Sequence, residues 1–366
     1  MTSLAPAGPQ APWHIRHRDR TWTCAPASPE AYEFHRSLDG YAPTRVVELT
    51  EIAAELGVGR LLAKDESDRF GLPSFKALGA SWAVHSAAGE QAASPVTPVT
   101  LVAATDGNHG RAVAHFARLL GHRAIVFVPT GVHPVAVEAI RAEGADVRVV
   151  RGDYDSAVAA AAGLADDTGA VLVQDTAWDG YTTVPGWIVE GYHTMFVELD
   201  EQLATLGAGR PDLVVVPTGV GSLLQAALTH YRGDPAWLDT RVASVEADSA
   251  ACVFASLRAG GPVTVATGHT TMAGLNCGTV SALAWPLIVA GLDAALLATD
   301  PDALAAAGDM ARAGIDPGPC GAAPLAALRA ARRAGSVGEL FDHLGLGPES
   351  TVVVLSTESQ AANPSR

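Results

Sequence analysis

The stretch Lys64-Asp-Glu-Ser-Asp-Arg-Phe-Gly-Leu-Pro-Ser-Phe-Lys-Ala-Leu-Gly-Ala80 joins a run typical of a strand to a run typical of a helix. Lys76 lies at this junction, flanked by Phe75, Ala77 and Leu78, which is a poor setting for an ordinary surface charge. Burial lowers the pKa of an ammonium group, so such a lysine can become a neutral amine that condenses with a carbonyl. An apolar-flanked lysine more often extends its charged end to solvent, so the assignment depends on the rest of the chain.

Composition restricts the class of protein and its partners. The chain has 366 residues, enough for about two domains. Hydrophobic residues make up 48% and charged residues 17% of the chain, which is typical of a compact enzyme. The formal net charge of -15 argues against nucleic acid or an anionic membrane as the main partner. A small-molecule substrate remains compatible with this charge.

The cysteines and histidines follow no recognisable metal or disulfide pattern. The cysteines Cys24, Cys252, Cys277 and Cys320 contain no CxxC pair and are too few for a disulfide framework, so we expect buried thiols. Whether Cys252 and Cys277 pair is left open. The 12 histidines lack HExxH-like spacing, which predicts no metal site.

No targeting or membrane segment is predicted. Residues 14–20 form a basic stretch without the continuous apolar core of a secretory signal. No run approaches the roughly 18 apolar residues of a membrane span. We therefore expect a cytoplasmic protein with no membrane partner.

Short apolar runs alternate with helical patterns through most of the chain. The predicted strands are 60–63, 99–104, 124–128, 147–150, 171–174, 213–216, 242–246 and 352–355. The predicted helices are 108–120, 135–143, 156–164, 184–203, 223–231 and 324–333. Gly121 and Gly144 occupy positions typical of helix C-caps. Because most strand runs are continuously apolar, the pattern indicates an α/β fold with parallel sheets covered on both faces.

Four segments that follow strand-like runs carry residues suited to bind a ligand, and such strand ends are where open parallel sheets place their sites. They are residues 74–76, 104–111, 217–222 and 355–359. The third contains Thr218-Gly-Val-Gly-Ser222, whose backbone N–H groups and following helix can bind a phosphate. It is neither GxGxxG nor a Walker loop, and alone it is equally compatible with a tight turn.

Taken together, the four segments meet the requirements of pyridoxal phosphate. Lys76 bonds the aldehyde, the glycine loop binds the phosphate, Asn108 faces the phenolic oxygen and a hydroxyl of the last segment faces the ring nitrogen. By itself Asn108, like Asp106, is also compatible with a helix cap. The predicted cofactor-binding residues are Phe75, Lys76, Asn108, Thr218, Gly219, Val220, Gly221, Ser222, Ser356 and Thr357.

This combination resembles the fold-type II, tryptophan synthase β-like pyridoxal phosphate enzymes. More specifically, the chain is similar to the diaminopropionate ammonia-lyase family over about residues 40 to 360. The similar stretches are 64–72, Thr105-Asp-Gly-Asn-His-Gly-Arg111, Val173-Gln-Asp-Thr-Ala-Trp-Asp-Gly-Tyr181, Gly186-Trp-Ile-Val-Glu-Gly-Tyr192, Met272-Ala-Gly-Leu-Asn-Cys-Gly278, Trp285 and Leu355-Ser-Thr-Glu358.

The resemblance implies α,β-elimination of ammonia from 2,3-diaminopropionate, giving pyruvate and a second ammonia. It implies Lys76, Asp106 and Asp175 as catalytic residues, with the two carboxylates addressing opposite faces of the α-carbon. A helix cap for Asp106 and a turn residue for Asp175 are the alternatives. Proton transfer by a positioned group contributes roughly 10²–10⁴-fold to a rate. The resemblance also implies a small amino-acid substrate and a homodimer.

The resemblance further implies two open twisted α/β domains with the cofactor in the cleft between them. The large domain would comprise residues 1–78 and 190–366, and the small inserted domain residues 79–189.

The chain departs from the family pattern in two places. The stretch Gly314-Ile-Asp-Pro-Gly-Pro-Cys-Gly-Ala322 lacks the family's glutamate and carries two prolines, which we interpret as a stiffened turn. Ser359 replaces a glycine. These departures keep open another pyridoxal phosphate reaction on the same scaffold, such as β-replacement, racemisation or hydroxyamino-acid dehydration. A non-catalytic binding protein is the third alternative, and retention of Lys76, Asn108 and the glycine loop argues against it.

Overall fold

The structure is a computed structural model that describes residues 11–91, 97–105, 107–152, 154–333 and 337–362. The strands are β1 Trp13–Ile15, β2 Val46–Glu48, β3 Arg60–Asp65, β4 Thr100–Ala104, β5 Arg123–Pro129, β6 Asp146–Val150, β7 Val171–Leu172, β8 Leu213–Pro217, β9 Arg241–Ala247, β10 Ala294–Ala298 and β11 Thr351–Ser356. The helices are α1 Glu30–Ser37, α2 Thr50–Leu56, α3 Lys76–Gln91, α4 Asn108–Leu119, α5 Pro134–Ala142, α6 Tyr154–Thr168, α7 Thr183–Thr205, α8 Ser222–Gly233, α9 Cys252–Ala259, α10 Ala284–Gly291, α11 Asp300–Arg312, α12 Pro319–Arg333 and α13 Val337–His343.

Two sheets organise the described part of the chain. The larger sheet has seven strands in the order β1-β10-β9-β8-β11-β3-β2, and only its two edge strands run antiparallel to their neighbours. The smaller sheet has four parallel strands in the order β6-β5-β4-β7. The predicted α/β class with parallel sheets is therefore confirmed.

The central strands explain why the core forms where it does. Every residue of β8 and β11 is buried, and both strands are rich in valine, whose branched side chain packs well on a pleated sheet covered on both faces. One hydrophobic cluster covers the face shared with the smaller sheet, with Val214, Val353 and Leu101 among its members. A second cluster covers the opposite face of the larger sheet, and a third lies on the outer face of the smaller one.

The predicted strands are confirmed, with ends displaced by one or two residues. Gly121 and Gly144 end their helices with φ of 80° and 91°, as predicted. The prediction for residues 314–322 is wrong in part, because Pro319 is the first residue of α12. Proline fits there, since the first helical N–H has no partner within the helix. No helix among the described residues is long and apolar enough to cross a membrane.

A buried ionic cluster holds the segment that leads to Lys76. Glu198 of α7 accepts a hydrogen bond from Lys64 Nζ at 2.7 Å and one from Arg69 Nη1 at 2.6 Å. Arg69 also donates to Glu66 at 2.7 Å. Two cations therefore balance two anions out of contact with water. Because Arg69 lies between β3 and α3, the cluster ties this connection to the core and positions the start of α3.

Glu198→Gln is expected to destabilise the protein by about 3–5 kcal/mol, because it leaves a buried positive charge uncompensated. Urea unfolding measures this as a fall in the free energy of unfolding. Glu201→Gln is the matched control: Glu201 lies on the same helix but is exposed, where it accepts from Tyr32. Equal unfolding midpoints for the two variants would contradict a stabilising role for the cluster.

Candidate active site

Lys76 is the first residue of α3 and is held in place by the end of β11. The Phe75 N–H donates to the carbonyl of Thr357 at 3.1 Å, which fixes the turn that precedes the helix. The Phe75 ring packs against the ring of Tyr192 with 4.7 Å between centroids. Lys76 Nζ lies 5.3 Å from the Phe75 centroid and 5.9 Å from that of Tyr192. The amine is therefore bounded by two aromatic rings on its apolar side.

The Lys76 ammonium forms an ion pair and a short hydrogen bond with Asp175. Burial lowers the pKa of Lys76, but the Asp175 carboxylate more than offsets it and the net pKa lies above its ordinary value. Burial raises the pKa of Asp175, but Lys76 and His109 lower it to about 2. The expectation that burial leaves Lys76 as a neutral amine is therefore wrong for this pair, because the carboxylate outweighs desolvation.

Two further side chains of this region were not predicted from the sequence. His109 is buried, its Nε2 lies 2.8 Å from the carbonyl oxygen of Val173, and its Nδ1 has no hydrogen-bond partner among the described residues. Burial lowers the pKa of His109, which favours the neutral ring beside Lys76 and Asp175. Tyr192 is fully buried beside Lys76. Both residues lie within family-like stretches, which was the available signal.

The glycine loop begins where β8 ends and leads directly into α8. Thr218 is buried, and Gly221 immediately before the helix adopts a φ of 104°, a conformation that favours glycine. Ser222 Oγ donates to the backbone carbonyl of Asp175 at 2.6 Å, so the loop is tied to the Lys76–Asp175 pair. The first N–H groups of α8 have no acceptor within the helix and can bind an anion.

Gly219→Ala is expected to weaken cofactor binding about 10-fold. A methyl group at this position would lie 2.9 Å from both Cys277 Sγ and the carbonyl oxygen of Gly274, so the loop must shift. Overpacking of this kind costs about 1–3 kcal/mol. Titration of the cofactor-free protein with pyridoxal phosphate measures the dissociation constant. Gly163→Ala is the control because a methyl group there meets open space, and equal affinities of the two variants would contradict the role of the loop.

Ser356 and Asn108 belong to the second and third elements of this region, the end of β11 and the start of α4. Ser356 ends β11, is fully buried, and its hydroxyl has no hydrogen-bond partner among the described residues. Asn108 begins α4 and donates from Nδ2 to Glu358 Oε2 at 2.9 Å. Thr357 contributes the backbone carbonyl that holds Phe75. The predicted segment 355–359 therefore contacts the predicted segments 74–76 and 104–111. This agrees with its position at the end of a strand.

These residues fit pyridoxal phosphate. The buried and unpartnered hydroxyl of Ser356 is suited to a ring nitrogen, and the start of α8 is suited to a phosphate. Lys76 supplies the amine that can hold the aldehyde, and Asn108 supplies an amide for the phenolic oxygen.

One of the predicted catalytic residues cannot be placed, and a second aspartate near Asp175 lies away from the site. Asp106 lies outside the described residues. Asp179 is exposed in the turn that pairs Trp178 with Tyr181, away from the buried Asp175.

The four cysteines are all described, and no disulfide joins any of them. Within the described ranges, no group of three His, Cys, Asp or Glu side chains is arranged to hold a metal ion.

Comparison with known proteins identifies the family of this chain. The chain matches the family "Pyridoxal-phosphate dependent enzyme" over residues 38–358. It is 34% identical to the diaminopropionate ammonia-lyase of Escherichia coli strain K12 over 349 residues, covering 90% of this chain and 87% of the relative. It is 36% identical to the diaminopropionate ammonia-lyase of Salmonella typhimurium over 280 residues, covering 71% of this chain and 69% of the relative.

The fold agrees as well. The crystal structure of the Escherichia coli diaminopropionate ammonia lyase in complex with an aminoacrylate-PLP azomethine reaction intermediate superposes with a TM-score of 0.86 at 31% identity. The match covers 95% of this chain and 94% of that one. The chain therefore belongs to the pyridoxal-phosphate dependent enzymes and, within them, to the diaminopropionate ammonia-lyase family.

Proposed function

We propose that this chain catalyses the pyridoxal phosphate-dependent α,β-elimination of ammonia from 2,3-diaminopropionate, giving pyruvate and a second ammonia. The observation that carries the proposal is the ion pair of the partly buried Lys76 with the buried Asp175, which lies beside the glycine loop and an unpartnered buried hydroxyl. The curated relatives named diaminopropionate ammonia-lyase cover most of the chain and support the same activity.

Each side chain has a distinct task in this reaction. When bound, pyridoxal phosphate supplies an electron sink that makes the substrate's α-proton acidic. Lys76 Nζ would hold the cofactor, and its amine could accept the α-proton of the substrate. Asp175 controls the charge of Lys76 through their direct contact and can hold or return that proton. Phe75 and Tyr192 cover the apolar side of the amine and limit its contact with water on that side.

We further propose that Asp175 and Asp106 serve opposite faces of the α-carbon, so that both enantiomers react. Asp175 is buried beside Lys76, which supports its part. The part of Asp106 rests on its place in the Thr105-Asp-Gly-Asn-His-Gly-Arg111 motif. β-Replacement, racemisation and hydroxyamino-acid dehydration are less favoured, because relatives that cover most of the chain are ammonia-lyases.

The domain division, the homodimer and the cytoplasmic location remain predictions. The division into residues 1–78 with 190–366 and residues 79–189 is compatible with a seven-stranded sheet built from both chain ends and a four-stranded sheet built from the middle.

Light scattering coupled to size-exclusion chromatography tests the dimer: a mass near twice 37.5 kDa supports it, and a mass near 37.5 kDa contradicts it.

The test of the proposed activity supplies D- and L-2,3-diaminopropionate separately to the cofactor-loaded protein and measures pyruvate and ammonia. The proposal predicts pyruvate from both enantiomers, with two ammonia molecules for each pyruvate. Pyruvate from only one enantiomer would keep the reaction and contradict the two-face role of the carboxylates. No pyruvate from either, with the cofactor bound, would contradict the activity.

A further inference from the structure

Glu358 connects three parts of the site that are far apart in the sequence. It lies just beyond β11, is 3% exposed, and its Oε2 accepts the hydrogen bond from Asn108 Nδ2 at 2.9 Å. Its backbone pairs with Ser74, two residues before Lys76, and its carbonyl accepts from the Gly318 N–H at 2.9 Å. A single buried residue therefore contacts the lysine segment, the start of α4 and the segment that departs from the family pattern.

The space around the Glu358 side chain depends on that departing segment. A methyl group at Gly318 would lie 2.8 Å from Glu358 Oε1 and 2.8 Å from the carbonyl oxygen of Ser359. Glycine at this position leaves room for the carboxyl group. Pro317 pairs with Ser359, which fixes the segment against the residues that follow β11. The altered stretch 314–322 is thus packed against Glu358 and Ser359.

The contact between Glu358 and Asn108 determines which way the Asn108 amide faces. Glu358 Oε2 accepts from the amide nitrogen, so Asn108 presents its NH₂ group to the carboxyl group. That nitrogen has two N–H donors, and Glu358 uses one. Among the described residues the second N–H has no acceptor, so it can donate to a bound ligand. Without the carboxylate, the amide can rotate and present its oxygen, which would repel a phenolic oxygen.

We propose that Glu358 is the positioning residue for Asn108: it holds the amide so that the remaining N–H donates to the phenolic oxygen of pyridoxal phosphate. The inference rests on the cofactor of the proposed function and does not depend on its substrate. It has a spectroscopic consequence, because a donor to the phenolic oxygen stabilises negative charge there. Negative charge on the phenolic oxygen would favour loss of the proton from the nitrogen that would link Lys76 to the cofactor. The donor would therefore lower the pH midpoint, which is the pH at which half of the change in the visible absorption band has occurred.

The experiment titrates the visible absorption of the bound cofactor against pH, without substrate, in the wild type, Asn108→Ala, Glu358→Ala and the double variant. Asn108→Ala is expected to raise the midpoint by about one pH unit, as expected for losing a hydrogen bond to a charged group. Glu358→Ala is expected to raise the midpoint by most of the amount expected for Asn108→Ala. The double variant is expected to match Asn108→Ala, because Glu358 acts through Asn108.

Two controls keep the result interpretable. Glu349→Ala removes an exposed carboxylate that precedes β11, and it is expected to leave the midpoint unchanged. Glu358→Gln preserves the size of the side chain if Glu358→Ala does not fold, and its midpoint is expected between those of the wild type and Asn108→Ala. An unchanged midpoint in either Glu358 variant, or a double variant that shifts beyond Asn108→Ala, would overturn the proposal. A wild type that binds no cofactor would contradict the proposed function instead.

Discussion

Lys76→Ala is expected to lower the rate of pyruvate formation by more than about 10⁴-fold, because it removes both the anchor of the cofactor and an acceptor for the α-proton. The same variant is expected to lose the visible band of the bound cofactor. The chain contains only two lysines, Lys64 and Lys76. Borohydride reduction of the cofactor-loaded protein, followed by peptide mass spectrometry, is therefore expected to label a single peptide containing Lys76.

Lys64 is a matched control for this result. It is also buried, but its ammonium is used by Glu198, the Thr44 carbonyl and Gln202. Lys64→Met is expected to destabilise the protein and to keep both the visible band and the labelled Lys76 peptide. Labelling of Lys64, or a visible band that persists in Lys76→Ala, would contradict the assignment of the cofactor-binding lysine.

Asp175→Asn is expected to lower kcat about 10²–10⁴-fold while the protein still binds the cofactor. The substitution removes a positioned proton carrier from direct contact with Lys76. Asp179→Asn, in the exposed turn four residues on, is expected to remain within about twofold of the wild type. Steady-state kinetics with each enantiomer of diaminopropionate measure both variants. Equal losses in the two variants would contradict a specific role for Asp175.

The same variant has a consequence for pH. In the wild type, Asp175 holds the pKa of Lys76 above its ordinary value, so the neutral amine becomes more populated as pH rises. The rate at which cofactor-free protein takes up pyridoxal phosphate is therefore expected to rise with pH. In Asp175→Asn the carboxylate that raises the pKa of Lys76 most is gone, so burial weighs more heavily and lowers that pKa, and this rise should move to lower pH. Unchanged pH profiles in a stopped-flow experiment would contradict the electrostatic role of Asp175.

The central strands and most of the proposed site residues could be predicted because each is marked by a pattern within a short stretch of sequence. β8 and β11 each contain three consecutive valines, and the segments after them carry the hydroxyl and glycine residues that we propose bind the cofactor. Three strands were missed for different reasons. β1 and β2 have three residues each, too few to show a period. β10 reads Ala-Ala-Leu-Leu-Ala, which favours a helix, and it becomes a strand only because β9 and β1 pair with it.

The charge state of Lys76 could not be predicted from its neighbours in sequence. Phe75 and Leu78 indicate burial, which alone lowers the pKa of an amine, but the group that decides the outcome is Asp175, 99 residues away. The Asn108–Glu358 contact joins residues 250 apart, so it too depends on the folded arrangement of the two sheets. Sequence patterns therefore locate the site, while its electrostatics follow from contacts between distant segments.

The most direct test of the account compares kcat/KM of the cofactor-loaded enzyme for 2,3-diaminopropionate with that for serine, using both enantiomers of each. The two substrates differ in the leaving group, an ammonium or a hydroxyl, so the ratio reports which group the site is built to release. Diaminopropionate is expected to be preferred by at least roughly 10²-fold. An equal or higher value for serine would contradict the ammonia-lyase function and favour a hydroxyamino-acid dehydratase on the same fold.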